Sequence, residues 1–514
     1  MTSVSNAAWA LLFPNLERHP DKPAYLCGDD VLTYADLASA VARTGAMLAA
    51  SGVQPGDRVG CVLPDGPATP IMLLGAMWIG ACPMPLSSSL RPEEYAWILA
   101  DAGARVLIAD TGHPAAVASS IPVLPCSPGG PEGLRTYCDF LEPYAPEAHD
   151  LALLLYTSGS TGRPKGVPHR HRDILRPAET FGDLIGLTEN DVIFSASKLS
   201  FAYGLIASFS LALAYGATAI LSPEKLGPAE LLQLIRRYRP SVFFAVPTLY
   251  NLLLRVLEPD SYLGGVRLFY SAGEALPAAT FKAWKQMTGY EICEGIGSTE
   301  AYNLFISNRP GEAIPGATGK VAPGFEVRLV DEADTDVAAG QPGLLLIRGE
   351  GTATAYWNLP EKSQETMLPD GWLRTGDMFT ASDGVFIHQG RADDMLKVGG
   401  RFVSPQEVEN VLLTHPDVVE CAVSGCRVEG LERPQAFVVA RLPERCPPRS
   451  PDLARFAPRS SATRRGFPCR GRACRPAAPG IPQDANSSQY DIRRTQREIN
   501  GPRCLQRSGS QPNA

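Results

Sequence analysis

Two hydrophobic periods alternate along much of this chain, and that alternation narrows the fold more than any other feature. "LLQLIRRYRPSVFFAVPTLYNLLLRVL" from Leu231 reads as helix, strand, helix. "LTYADLASAVARTGAMLAASG" from Leu32 carries apolar residues at three- and four-residue spacing and ends on glycine, which predicts a capped helix. "DRVGCVLP" and "ARVLIAD" are apolar runs short enough for buried strands. Strands that alternate with helices and lack a polar face belong in parallel-rich sheets covered by helices.

The 514 residues allow two or three domains. The longest apolar stretch, "GLIASFSLALAYGATAIL" from Gly204, contains serines and glycines and reads as a buried helix and strand, not a membrane span. After about Gly316 the texture changes. "GKVAPGFEVRLVDEADTDVAAGQPGLLLIRGE" alternates short strands with turns, as in a small β unit. The polar, glycine-flanked "GRADD" predicts a domain boundary, followed by hairpin, loop, helix and strand.

Beyond Leu442 the periodicity stops. From Arg441 to Ala514 there are fifteen Arg against five Asp plus Glu, so this tail carries +10 and the preceding 440 residues carry −17 of the total −7. A segment rich in Arg, Pro, Ser and Gly cannot bury enough surface to offset its ordering entropy, and we expect it to be mostly disordered. The abrupt shift in composition suggests a reading-frame change in the coding sequence near Arg445. The expected organisation is a large α/β domain over 1–390, the start of a small mobile α+β domain over 391–442, and an aberrant tail over 443–514.

A net charge of −7 argues against broad nucleic-acid binding. The twelve cysteines form no C-x-x-C pair, as in a reducing compartment, and the N-terminus lacks the basic start of a signal peptide. The expected location is the cytoplasm, with no membrane or nucleic-acid partner.

"LLLYTSGSTGRPKGVPHRH" runs from Leu153 to His171. An apolar strand precedes a loop dense in glycines and hydroxyls. Such a loop presents backbone N–H groups to one spot, which suits an anion, and Lys165 adds a point charge for a polyphosphate. It is not a Walker A loop, because Lys165 follows Pro164 and precedes Gly166.

"YTSGSTGRPKGV" resembles the phosphate loop of the adenylate-forming superfamily: acyl-CoA ligases, peptide-synthetase adenylation domains and luciferases. The likeness continues, in the family's order and spacing, through "SAGEALP", "GIGSTE", "WLRTGD" and "GRADDMLKVGGRFVSPQEVE", over roughly residues 5–440. It implies a reaction in two halves. A carboxylate attacks the α-phosphorus of ATP, giving an acyl-adenylate and pyrophosphate, and a thiol then displaces AMP. Such chemistry relies on positioning and charge neutralisation.

By this resemblance Thr157, Ser158, Ser160, Thr161 and Lys165 hold the β- and γ-phosphates. Glu300 is similar to the family's Mg2+-binding glutamate, and Thr299 meets the α-phosphate. Asp377 accepts both ribose hydroxyls, with Arg391 on the hinge side. Gly273, Glu274 and Ala275 pass along the adenine. Asp393 aligns with the hinge about which the small domain swings, and Lys397, beside Gly399–Gly400, resembles the face used in the thiol step. The implied cofactors are ATP, Mg2+ and coenzyme A, and a homodimer is compatible with the family.

"SKLSFAYGLIASFSLALAYGATAIL" and "GIGSTEAYNLFISNRPG" resemble the benzoate-CoA ligase branch. In amino-acid-activating relatives an aspartate follows the phenylalanine matching Phe201, and here Ala202 stands there. A buried ammonium without that counter-ion is costly. The resemblance places Ala202, Tyr203, Gly204, Ile296, Gly297 and Asn303 around a small flat pocket for an aromatic ring. Asn303 replaces the histidine of benzoate ligases, and its amide can donate to or accept from a ring substituent. The expected substrate is benzoate or an amino- or hydroxybenzoate. The acceptor is coenzyme A or, in a second reading, a carrier-protein pantetheine. A third reading is a nucleotide or acyl-adenylate binder with impaired catalysis. Family members carry a lysine in a P-x-T-x-x-G-K-like loop near their C-terminus, whereas this chain has no lysine after Lys397.

Overall fold

The computed structural model describes residues 5–440 except 118, 128–129, 132–135, 138–140, 158–162, 259–262, 264, 399–400, 414, 416 and 429–430. The expected disorder of 443–514 and the Gly399–Gly400 turn lie outside these residues. The chain divides into two compact units after Asp393.

In the first unit the predicted alternation builds two sheets. Among the described residues, one has nine strands, with Val192–Ser195, Val242–Ala245, Leu268–Ser271 and Ile292–Ser298 forming parallel neighbours in its middle. "VFFA" and "LFYS" have no polar face because both faces are covered. Successive side chains point to opposite sides: Phe243 and Phe269 pack with Tyr250 and Trp284 on one face, while Phe244 and Tyr270 join Phe181 and Phe209 on the other. The helix Pro228–Tyr238 begins on Pro after Gly227 and buries Leu231, Leu232, Leu234 and Ile235. It leads to the strand Val242–Ala245 and the helix Pro247–Leu254, the order expected.

A second sheet of five strands contains Arg58–Val62 beside Ala104–Ala109, in parallel register from Arg58–Ala104 to Val62–Ala109. The helix predicted from Leu32 spans Tyr34–Ala50, with the Thr33 hydroxyl accepting from the Asp36 N–H. The stretch from Gly204 forms buried helical turns and then the strand Thr218–Ile220.

The small β unit is a four-stranded antiparallel sheet of Phe325–Val330, Gly343–Gly349, Leu373–Ser382 and Val385–Arg391. Its inner face carries Leu345, Ile347, Leu373, Phe379 and Phe386. The second unit contains the hairpin Leu396–Val398 with Arg401–Val403, the helix Pro405–Leu412, and the long hairpin Val418–Val428 with Leu431–Ala440.

Candidate active site

The loop expected to cradle phosphates closes an antiparallel hairpin. Leu151–Thr157 pairs with Lys165–Arg170, and Thr157 lies opposite Lys165. The described residues after the loop continue as the strand Lys165–Arg170, not as a helix. Ser158, Ser160 and Thr161 lie outside the described residues.

Lys165 points at Tyr356. Its Nζ donates to the Tyr356 hydroxyl at 3.3 Å and sits 4.4 Å from the ring centroid. The Tyr356 hydroxyl donates to Glu300 Oε1 at 2.7 Å, and the Ala353 N–H donates to the Glu300 carbonyl at 2.7 Å. Burial pushes the Lys165 ammonium below the usual lysine range, Glu300 pulls the other way, and Lys362 and Arg391 add to the lowering. Burial, with Glu300 adding, raises the Tyr356 phenol, so it stays a donor.

Glu300 and Thr299 occupy the turn between Ile292–Ser298 and Asn303–Ser307. The turn is tight. Tyr302 donates its N–H to the Thr299 carbonyl at 3.1 Å and takes a φ of 44°, and its buried hydroxyl lies 2.9 Å from that of Ser210. Among the described residues no three His, Cys, Asp or Glu side chains gather as a metal cage. A single half-buried carboxylate still fits a cation that keeps most of its waters and takes the rest of its oxygens from phosphate.

Asp377 lies opposite Arg391 across the antiparallel pair Leu373–Ser382 and Val385–Arg391. Its Oδ1 accepts from an Arg391 nitrogen at 3.0 Å and lies 3.4 Å from His388 Nε2. Burial acts to raise this carboxyl, but His388 and Arg391 outweigh it and hold it below the usual aspartate range. Arg391 also feels Asp393 and Glu300, which ties the strand end to the Lys165 cluster.

The segment Gly273–Ala275 leaves the sheet at Ser271, and Gly273 takes a φ of 88°. Glu274 accepts from the Thr248 hydroxyl at 2.8 Å. Beneath this loop Glu294 is buried and accepts the Leu276 N–H at 3.1 Å. Its carboxyl is pushed up to about 7 by burial, with Leu276 and His388 opposing.

The expected pocket residues sit on adjoining elements. Ala202, Tyr203 and Gly204 open a short helix after the exposed Phe201. The Tyr203 hydroxyl donates to the Tyr270 carbonyl at 3.2 Å, on the strand beside Ile292–Ser298, which carries Ile296 and Gly297. A Cβ on Gly204 would stand 2.3 Å from the Ser197 and Lys198 carbonyl oxygens, and one on Gly297 2.3 Å from that of Asn303. Asn303 is buried. Its Nδ2 donates to the Thr180 hydroxyl at 2.9 Å and its Oδ1 accepts the Leu304 N–H at 2.9 Å, which leaves one N–H and one lone pair uncommitted by these bonds.

Asp393 is the last residue of the first unit, within the short turn Ala392–Asp394. Lys397, in the second unit, is exposed and pairs with Phe402 in the hairpin register. Tyr356, His388 and Glu294 escape the motif reading. Glu294 leaves a readable signal, an acid inside the apolar strand Ile292–Ser298. Tyr356 leaves none, because its partners are 56 and 191 residues away.

Residues 12–357 match the family model described as AMP-binding enzyme, and 407–458 match AMP-binding enzyme C-terminal domain. The chain is 39% identical to a benzoate–CoA ligase of Thauera aromatica over 85% of its own length and 86% of that protein. It is 37% identical to a 3-hydroxybenzoate–CoA ligase of Aromatoleum sp. (strain CIB), covering 85% and 87%. The crystal structure of the anthranilate CoA ligase AuaEII in complex with anthranoyl-AMP superposes with a TM-score of 0.81 at 36% identity, covering 86% of this chain and 89% of that one. With a family match across most of the first unit and these relatives along most of its length, the chain belongs to the AMP-binding enzyme family, the adenylate-forming superfamily of the aryl-CoA ligase type.

Proposed function

We propose that this chain activates an aromatic carboxylic acid with ATP to an aryl-adenylate, releases pyrophosphate, and transfers the acyl group to the thiol of coenzyme A. The observation that carries this reading is the convergence of Lys165, Tyr356 and Glu300 on one spot, with the Asp377–Arg391 pair electrostatically coupled to it. Relatives named for benzoate and 3-hydroxybenzoate, and one bound to anthranoyl-AMP, support the substrate class.

In this reading Thr157 and Lys165 bind the β- and γ-phosphates and neutralise charge on the departing pyrophosphate. Thr299 meets the α-phosphate. Asp377 takes the ribose hydroxyls with two acceptor oxygens, and Gly273–Ala275 lie along the adenine. Glu300 would hold Mg2+, which would supply charge neutralisation for the phosphates. Tyr356 holds that carboxylate in place, and its proton stays on the phenol. Ala202, Tyr203, Gly204, Ile296, Gly297 and Asn303 surround the ring, and Lys397 serves the thiol step after rotation about Asp393.

The test is pyrophosphate release with benzoate, 2-aminobenzoate, 4-hydroxybenzoate and octanoate. Turnover with one of the aryl acids is expected, and preference for octanoate overturns the reading. Free coenzyme A against a phosphopantetheinylated carrier protein, both offered to the adenylate, decides the acceptor.

A further inference from the structure

We propose that Asp101 is a positioning residue for ATP, holding the phosphate hairpin and the Tyr356–Glu300 pair in one frame; this rests on the function proposed above. Asp101 sits in the last turn of the helix Pro92–Ala102, which closes on Gly103 with a φ of 59°. A carboxylate there faces the negative end of the helix dipole, so helix stability does not account for it. Arg58 serves the helix end instead, donating to the Ala102 carbonyl at 2.7 Å and the Gly103 carbonyl at 2.8 Å.

Asp101 turns outward to two segments of the site. Its Oδ2 accepts from the Tyr156 hydroxyl at 2.7 Å, and Tyr156 immediately precedes Thr157 and pairs with Gly166, the neighbour of Lys165. Its main-chain carbonyl accepts from the Trp357 indole at 3.1 Å and the Asn358 amide at 2.8 Å. Trp357 follows Tyr356, the residue that joins Lys165 to Glu300, and its N–H donates to the Gly166 carbonyl at 2.8 Å.

Trp97, four residues earlier and therefore on the same helix face, extends the clamp. Its ring meets Tyr156 edge-on at 6.2 Å, and the Arg163 guanidinium lies 5.9 Å from it, two residues before Lys165. This helix thus touches the first strand of the hairpin at Tyr156, Arg163 just before the second strand, and the segment after Tyr356, whose Trp357 in turn bonds the second strand at Gly166. None of these contacts touches a reacting atom. Their effect is to fix where Lys165 and Glu300 stand before the nucleotide arrives.

The test uses the full chain and two readouts: the Kd of a non-hydrolysable ATP analogue with Mg2+ by calorimetry, and KM for ATP and for benzoate in pyrophosphate release. Tyr156→Phe and Asp101→Ala are each expected to weaken ATP-analogue binding about tenfold, with KM for benzoate unchanged within about twofold. The double variant is expected to be no worse than the poorer single, because both remove the same bond. Asp101→Asn, which keeps an acceptor, is expected to recover most of the affinity. Should Asp101→Ala fail to fold, Tyr156→Phe removes only one oxygen and carries the test alone. Unchanged ATP affinity in the single variants, additive effects, or an equal rise in both KM values overturns the proposal. Loss of ATP affinity in Lys165→Ala but not in Asp101→Ala overturns it while leaving the proposed function standing. A wild-type chain that does not bind the analogue overturns both.

Discussion

Lys165 shows how much one side chain depends on its surroundings. In isolation it is a cation beside a turn. Here burial and the Tyr356 hydroxyl fix its head next to Glu300. Replacing Lys165 by Ala removes the charge proposed above to neutralise the leaving pyrophosphate and is expected to lower its release on the order of a hundredfold, measured at saturating ATP. Glu294 makes a prediction of a different kind. Its carboxyl titrates near 4.5 when exposed and is pushed up to about 7 by burial. Between those values the folded chain holds a proton that the unfolded chain has lost. This group's contribution to stability therefore falls as pH rises from about 4.5 to about 7, by at most about 3 kcal/mol, and levels off above. Because the buried His169 and His171, held down at about 3 and about 4, act in the opposite sense in both chains, the readout is the difference: the urea midpoint of the native chain should fall relative to that of Glu294→Gln between pH 5 and pH 8.

At the scale of elements, the hairpin Ile292–Ser298 with Asn303–Ser307 does two jobs. Its turn presents Thr299 and Glu300, and its strands present Ile296, Gly297 and Asn303. Both depend on close approach of backbone to backbone. A Cβ at position 297 would sit 2.3 Å from the Asn303 carbonyl oxygen, a main-chain atom that cannot swing aside. Gly297→Ala is expected to cost roughly 1–3 kcal/mol of stability in denaturant unfolding and to raise KM for the aryl acid more than KM for ATP. Equal changes in the two KM values would place position 297 outside the ring pocket.

For the whole molecule the question is how two units share one reaction. The first unit, ending at Asp393, holds the residues assigned to ATP and the ring, and the second holds Lys397. The chain has no lysine after Lys397, whereas the resemblance assigns a later lysine to the adenylation half. The two half-reactions should therefore be unequal. Pyrophosphate release is expected to be slower than thiolysis of synthetic benzoyl-AMP by coenzyme A, each measured in single turnover. Lys397→Ala is expected to slow the thiolysis and leave pyrophosphate release unchanged. Among the described residues no helix is long and apolar enough to cross a membrane, in keeping with the reading of the stretch from Gly204.

Local pattern was enough to read the layered α/β architecture and the order of its elements. A buried strand such as Val242–Ala245 announces itself by lacking a polar face, and the helix after Gly227 by its proline and its leucine spacing. Motifs were equally legible where a few consecutive residues carry the pattern, as around Lys165, Glu300 and Asp377. Tertiary structure alone decided what those motifs touch. Tyr356 lies between Lys165 and Glu300, Asp101 holds Tyr156 and Trp357, and Asn303 divides its amide between Thr180 and Leu304. These pairings join residues up to 256 positions apart. Nothing in the local sequence encodes them, because they arise where separately folding segments are brought together by burial of the apolar faces that the sequence does encode.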